Sequence, residues 1–174
     1  MTTGAIFNSG VRFVLLLVIQ AFVLQQVRWG FGGVDYLYVF IYPLFVAFLP
    51  LFMPRSLVIF LGFLLGLGID LFYETLGLHA AALTFTAWVR PLVLRLVEPR
   101  DGYNIKDGPV AADQGAVWMA RYLALLFLLH CISFFTIQAF SFVFLKDILL
   151  KVLFTFPVSY LLAGILVIIF NPRE

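Results

Sequence analysis

Three residues that could act as acids, bases or metal ligands, Asp70, Glu74 and His79, lie within ten positions of one another. Gly62, Gly66 and Asp70 are spaced by four, so they share one face of a helix, and Glu74 continues that stripe. The spacing matches no established zinc site, and we therefore predict no metal. The small residues would let another helix approach closely, either from a partner protein or from this chain.

Asp70 is the residue of this group that would lie inside a membrane span, in its outer half. An ionised carboxylate costs about 2.5–3.5 kcal/mol at the centre of a span and less near the interface. Asp70 must therefore be paired, be protonated or cap backbone groups. We favour hydrogen bonds to the hairpin at 74–79, with an ion or substrate site and a direct partner contact as alternatives.

Three arginines are placed toward one end of the apolar stretches that contain them: Arg90, Arg95 and Arg121. Arginines in such positions commonly extend toward lipid phosphates. The alternative is that the three side chains converge in a basic pocket that faces the cytoplasm.

Motifs for catalysis are absent from the sequence. Neither H-E-x-x-H nor G-x-S-x-G occurs, and there is no glycine-rich phosphate loop. An intramembrane aspartyl protease needs two carboxylates, and Asp70 has no second one well inside a span. Gln20, His130, Cys131 and Ser133 are explained most simply as polar groups at helix contacts. We predict no enzymatic activity and no cofactor.

The composition indicates an integral membrane protein. Of the 174 residues, 64% are apolar and 11% charged, with a mean hydropathy of +1.10. One soluble core of this size cannot bury so many apolar side chains, so most must face lipid. A single cysteine excludes a disulfide scaffold, and a net charge of +2 without a basic cluster argues against nucleic-acid binding.

Six apolar stretches are each long enough for one helical span, which predicts an all-α polytopic membrane protein of one domain. The predicted helices are 11–27, 36–52, 56–73, 78–97, 116–140 and 148–170.

The basic residues predict the orientation. With a cytoplasmic amino terminus, eight of the 11 Lys and Arg residues lie inside, and three, Arg28, Lys146 and Lys151, lie outside. This positive-inside bias, with six spans, predicts that both termini are cytoplasmic. The loop at 98–115, which includes Lys106, then lies inside, either as a solvated connector or as a docking site for a cytoplasmic partner.

The fifth apolar stretch is longer than a span requires. Residues 139–145 would therefore project beyond the outer interface and expose Phe140, Phe142 and Phe144. Such a surface is expected to contact either a partner protein or the membrane surface.

The centre of the sequence resembles a known family. Residues 66–83 read G-L-G-I-D-L-F-Y-E-T-L-G-L-H-A-A-A-L, and residues 88–103 read W-V-R-P-L-V-L-R-L-V-E-P-R-D-G-Y. This pattern is similar to the rod shape-determining protein MreD family. That family has Gly-x-x-x-Asp at the end of a membrane helix, a short turn with a glycine and then a small-residue helix, which here are Gly66, Asp70, Gly77 and residues 80–82.

The resemblance implies a bacterial inner-membrane subunit of the elongation machinery without enzymatic activity. Its expected partner is an MreC-like single-span protein with a periplasmic domain. RodA, its transpeptidase partner, RodZ and MreB filaments would act with it in lateral wall synthesis. The family is also considered similar in fold to the six-helix substrate-binding subunits of energy-coupling-factor vitamin transporters. The alternative function is therefore a small-molecule-binding transport subunit.

Overall fold

The computed structural model describes residues 3–27, 29–32, 34–100, 102–103 and 114–170. Within them the chain is mostly helical, and six α-helices are described over their whole length: α1 Thr3–Val18, α2 Pro43–Ala47, α3 Arg55–Tyr73, α4 Leu78–Leu96, α5 Ala116–Ala139 and α6 Leu145–Phe170. A π-helix, Ile19–Val23, and a 3-10 turn, Leu24–Gln26, continue α1, and a second 3-10 turn, Phe142–Phe144, precedes α6. Two short antiparallel strands, β1 Trp29–Phe31 and β2 Val34–Leu37, form a hairpin after α1.

Three helices are long and apolar enough to cross a membrane, which indicates a membrane protein: Arg55–Tyr73, Ala116–Ala139 and Leu145–Ile168. They coincide within a few residues with the stretches predicted at 56–73, 116–140 and 148–170. The length of these three helices follows from uninterrupted apolar runs, in which the one proline, Pro157 of α6, does not end the helix.

The helix α4 is less apolar because it lies at the centre of the protein. Ten of its residues are buried, among them His79, Thr86 and Arg90. A helix that is surrounded by other helices rather than by lipid can carry polar side chains if each one finds a partner. The helix begins at the predicted residue, 78, and ends one residue before the predicted 97.

The predicted helix over 36–52 is wrong. Residues 34–37 form β2, residues 38–41 have no regular secondary structure, and only residues 43–47 are helical. A continuous apolar run does not by itself distinguish a buried strand from a helix. This run is rich in aromatic and β-branched residues and is followed by Pro50 and Pro54, which favour the outcome seen here. We call residues 36–50 the inserted segment.

The inserted segment lies in the interior of the helical bundle. Val39, Phe40, Ile41 and Tyr42 are at most 5% exposed, and all five residues of α2 are buried. Non-helical backbone at membrane depth is tolerated where protein surrounds it or where it lines a water-filled cavity. The segment therefore needs hydrogen-bond partners from the neighbouring helices.

Gly66 allows α3 and α4 to approach very closely. A Cβ atom at this position would lie 2.5 Å from the Cα atom of Ala80 and 2.6 Å from the carbonyl oxygen of His79. At Gly62 the nearest atom, Ala87 Cβ, would lie 3.3 Å away. The glycine face of α3 thus packs against α4 of the same chain. It is therefore not the surface that receives a helix of a partner protein.

We expect alanine substitutions of the glycines to destabilise the protein in a graded order. Gly66→Ala forces backbone atoms apart and should cost about 1–3 kcal/mol, while Gly62→Ala should cost less. Gly164→Ala is the matched control, since it lies within α6 and nothing lies within 4 Å of its Cβ position. The measurement is the thermal unfolding midpoint in detergent. Equal midpoints for the Gly66 and Gly164 variants would contradict the packing described here.

Candidate functional site

Asp70 caps the amino terminus of α4. Its Oδ1 accepts hydrogen bonds from the backbone N–H of His79 at 2.9 Å and from the hydroxyl of Thr75, and its Oδ2 accepts one from the N–H of Ala80 at 2.8 Å. The first N–H groups of a helix have no partner within the helix, and a negative charge there is favourable. The N-cap residue of α4 is Gly77, which has no side chain to do this. The favoured sequence interpretation of Asp70 agrees with this geometry.

The turn between α3 and α4 depends on two left-handed residues. Glu74 ends α3 with φ +55° and Gly77 precedes α4 with φ +82°. Glycine adopts this conformation without strain, whereas a glutamate does so at a cost. Glu74 continues the predicted stripe of Asp70, but its side chain is exposed whereas that of Asp70 is buried.

A row of four buried polar side chains, His79, Tyr42, His130 and Thr86, crosses the interior. Tyr42 Oη lies 3.1 Å from His79 Nδ1 and 2.8 Å from His130 Nε2, and His130 Nδ1 lies 2.8 Å from Thr86 Oγ1. Thr86 in turn donates to the carbonyl oxygen of Ala82 at 2.8 Å. We call these four side chains the buried polar chain.

The end of the buried polar chain fixes the direction of its hydrogen bonds. The Ala82 carbonyl can only accept, so the hydroxyl hydrogen of Thr86 points to it and His130 Nδ1–H donates to Thr86. His130 Nε2 then accepts from Tyr42, whose oxygen accepts from His79 Nδ1–H. Each of these contacts is satisfied with both imidazoles neutral, so this arrangement places no charge in the core.

The first half of the inserted segment is held by side chains of α6 and of the π-helix that follows α1. Thr155 Oγ1 accepts from the N–H of Tyr38 at 3.1 Å, and Ser159 Oγ accepts from the N–H of Phe40 at 2.9 Å. Gln20, in the π-helix that follows α1, bridges the same stretch: its Oε1 accepts from the Ile41 N–H and its Nε2 donates to the Val39 carbonyl, both at 3.0 Å. These side chains pair buried backbone groups that have no partner within a helix or a strand.

Arg90 holds the other end of the inserted segment. The side chain is 2% exposed and donates to the carbonyl oxygens of Leu49 and Pro50 and, through Nε at 3.0 Å, to the hydroxyl of Tyr122. Tyr122 donates to the carbonyl of Ala47, the last residue of α2, at 3.2 Å. The carbonyls at the end of a helix lack partners within the helix, and a cation there is favourable.

The three arginines singled out from the sequence do not converge. Arg90 is buried, whereas Arg95 and Arg121 are exposed. The predicted basic pocket is therefore not formed by this set. Arg90 also does not extend to lipid phosphates, since its donors are directed to backbone carbonyls inside the protein.

The cytoplasmic ends of α4 and α5, in the orientation predicted above, are joined through Tyr103. Its hydroxyl donates to the Leu94 carbonyl at 2.8 Å and accepts from Trp118 Nε1 at 3.2 Å. Burial raises the pKa of Tyr103, and the hydrogen bond from Trp118 opposes that rise. Most of the predicted loop at 98–115, including Lys106, lies outside the described residues.

The aromatic residues after α5 form an exposed apolar surface. Phe140 is 93% exposed and Phe144 51%, and Val143 and Leu145 between and beside them are also exposed. The side chain of Phe142 lies outside the described part of the structure. Phe140 ends α5 in the left-handed region, with φ +48°.

The structure adds site residues that the sequence analysis missed: Tyr42, Thr86, Tyr122, Thr155 and Ser159. One signal was present, because Thr155 and Ser159 are four residues apart and so share one face of an otherwise apolar helix. Gln20 and His130 were predicted to be polar groups at helix contacts. His130 contacts Thr86 of α4, and Gln20 contacts Tyr73 of α3 at 2.9 Å in addition to the inserted segment.

Metal ligands are not grouped in the described part of the chain, where no three His, Cys, Asp or Glu side chains come together to hold an ion. No family model matches the chain, and comparisons with curated proteins and with solved structures also found no match.

The capping role of Asp70 predicts a difference between two substitutions. Asp70→Asn keeps one oxygen that can accept from the α4 backbone, whereas Asp70→Leu leaves both N–H groups buried and unpaired. Each unpaired donor costs about 1–3 kcal/mol, so the leucine variant should unfold at the lower temperature in detergent. Glu74→Gln, a change in the exposed acid of the same stripe, should leave the midpoint unchanged. An equal, complete loss of folded protein with Asn and Leu would instead indicate an obligatory charge.

The role of Arg90 predicts that its loss is costly, although no acidic side chain of the described residues pairs with it. Arg90→Leu leaves the carbonyls of Leu49 and Pro50 without a donor, and we expect a loss of at least about 2 kcal/mol of stability. Arg95→Leu, one turn later on the exposed side of α4, should change stability by less than about 0.5 kcal/mol. Chemical denaturation in detergent would compare the two. Similar losses for both would show that Arg90 does not hold the inserted segment.

Proposed function

We propose that the chain is a non-enzymatic scaffold subunit of the bacterial elongation (rod) complex, similar to MreD. It would lie in the inner membrane as a multi-pass protein with both termini cytoplasmic. Its task would be to bind an MreC-like single-span protein and so support lateral cell-wall synthesis and cell shape. The strongest support is that the residues that resemble the family motif act together in one part of the structure.

That unit is the packed turn between α3 and α4. Gly66 sets the distance between the helices, Asp70 caps α4, and Gly77 provides the left-handed turn. His79, which follows directly, begins the buried polar chain. Residues that resemble a family motif and also cooperate in one contact support the resemblance more strongly than a pattern of letters does.

The hydrogen bonds of the buried polar residues favour a scaffold over a transport subunit. A substrate-binding subunit needs polar groups that are directed into a cavity. Here Asp70, Gln20 and Arg90 are directed to backbone groups of the same chain, and Tyr42 and His130 contact each other. Their hydrogen-bonding capacity is used for folding.

The exposed apolar residues after α5 are the surface that we propose for the partner. In the proposed orientation Phe140, Val143 and Phe144 lie on the periplasmic side, where the membrane-proximal part of an MreC-like chain would be. Contiguous exposed apolar residues commonly mark an interaction site.

We expect substitutions on this surface to remove the partner without unfolding the protein. The test variant combines Phe140→Asn with Phe144→Asn. Position 140 has a left-handed backbone, which asparagine adopts more readily than phenylalanine, so the substitution does not strain the turn. Leu76→Asn is the matched control, an exposed apolar residue in the turn between α3 and α4 on the same predicted side. The measurement is a detergent pull-down with mass spectrometry.

A single-span periplasmic protein should be recovered with the native chain and with the Leu76 variant, and at least tenfold less with the double variant. Equal recovery in all three would exclude this surface. Recovery of an ATPase module or a bound vitamin-like molecule, with no single-span partner, would replace the scaffold by the transport subunit. A substitution at Gly66 cannot test a partner surface, because Gly66 packs against α4 inside the protein.

A further inference from the structure

An apolar crevice opens between α1, α2 and the end of α6. Its volume is about 230 Å³, with Leu15 of α1, Leu44 of α2 and Leu166 of α6 among its lining residues. Leu15 is 39% exposed and Val11, also on the lining, 50%, so the crevice is open along the outer face of α1. Leu166 lies four residues before the end of α6, which places the crevice near one edge of the membrane.

One cation, Arg12, lines this crevice. It is half-buried, and its guanidinium carbon lies 5.2 Å from the centre of the Phe48 ring, which also lines the crevice. Within the described residues no hydrogen bond or ion pair to Arg12 is found. Arg90 and Arg55 differ from it, since each donates to backbone carbonyl oxygens of the chain. The ring contact holds the Arg12 side chain, and no anionic group of the described residues pairs with its charge.

We propose that this crevice is a binding site for an anionic phospholipid, with the lipid phosphate on Arg12 and part of one acyl chain between Leu15, Leu44 and Leu166. A guanidinium is suited to phosphate because it presents several donors in a plane. The walls of the crevice are apolar except for Arg12, which suits an acyl chain and not a free polar anion. Basic pockets between membrane helices are known to bind anionic head groups in this way.

The position of the crevice favours a lipid over a protein. It opens beside the outward face of α1, on which Val14 and Val18 are exposed along the same helix but do not line the crevice. In the proposed orientation Arg12 is on the cytoplasmic side, where anionic lipid attracts basic residues. The site is remote from the surface proposed for the partner after α5, so the two proposals can fail separately.

The test uses the full-length protein, stripped of lipid in detergent and examined by native mass spectrometry. Phosphatidylglycerol and phosphatidylcholine with identical acyl chains are added separately. The native chain should retain one phosphatidylglycerol about fivefold more than phosphatidylcholine, the factor expected for one basic residue at an anionic lipid. Arg12→Gln should remove this preference. Arg55→Gln is the matched control. The guanidinium carbon of Arg55 also lies 5.2 Å from the centre of an aromatic ring, that of Trp88, but Arg55 does not line the crevice. This variant should keep the preference for phosphatidylglycerol.

A second pair of variants tests the acyl chain. Leu15→Trp fills the crevice and should lower retention although Arg12 is present, whereas Val14→Trp, on the outward face of α1, should not. Competition by inorganic phosphate as effective as by phosphatidylglycerol would mean that a free anion is bound, and the proposal would fail. It would also fail if Arg12→Gln retained phosphatidylglycerol as the native chain does. The unfolding midpoint of each variant separates these outcomes from loss of fold.

Discussion

The need to pair the backbone of the inserted segment is the constraint on which the rest of the structure depends. Leu37 still pairs with Trp29 of β1, but residues 38–41 have no regular secondary structure, and no strand of the described residues lies beside them in the interior of the helical bundle. A buried backbone N–H or C=O without a partner costs about 1–3 kcal/mol, and water is not at hand inside a membrane. Gln20, Thr155 and Ser159 provide partners at one end, and Arg90 with Tyr122 provides them at the other. The polar residues of the surrounding helices are thus placed where this segment requires them.

The same constraint explains why α4 is the least apolar of the long helices. It carries Arg90 for the end of the inserted segment, and His79 and Thr86 for the chain that includes Tyr42. Each polar group lowers the hydropathy of α4, and each is tolerated because α3, α5 and the inserted segment surround it. Its first turn is completed by Asp70 from the preceding helix, which the short distance at Gly66 brings within reach.

Local relations could be predicted from the sequence, and distant ones could not. Asp70 and the N–H of His79 are nine residues apart, so a carboxylate at the end of one helix and a glycine before the next already indicate a cap. The contacts of Thr155 with Tyr38 and of Ser159 with Phe40 join residues 117 and 119 positions apart. No periodicity within residues 36–52 reveals such partners, and without them a helix is the reasonable expectation for an apolar run in a membrane protein. The predicted helix over 36–52 is therefore wrong because tertiary contacts, not local preference, decide the backbone there.

The polar groups that remain free for other molecules must then lie at the edges of the protein. Inside, Gln20, Asp70 and Arg90 are committed to the backbone of this chain, and a substitution there acts first on folding. Outside, the described helices present mainly apolar side chains to their surroundings, with cations near the ends of the spans. Recognition of a lipid or a protein by such a molecule depends on the shape of its apolar surfaces and on single charges such as Arg12. A substitution at these edges can therefore change binding while the inserted segment and its hydrogen bonds stay intact.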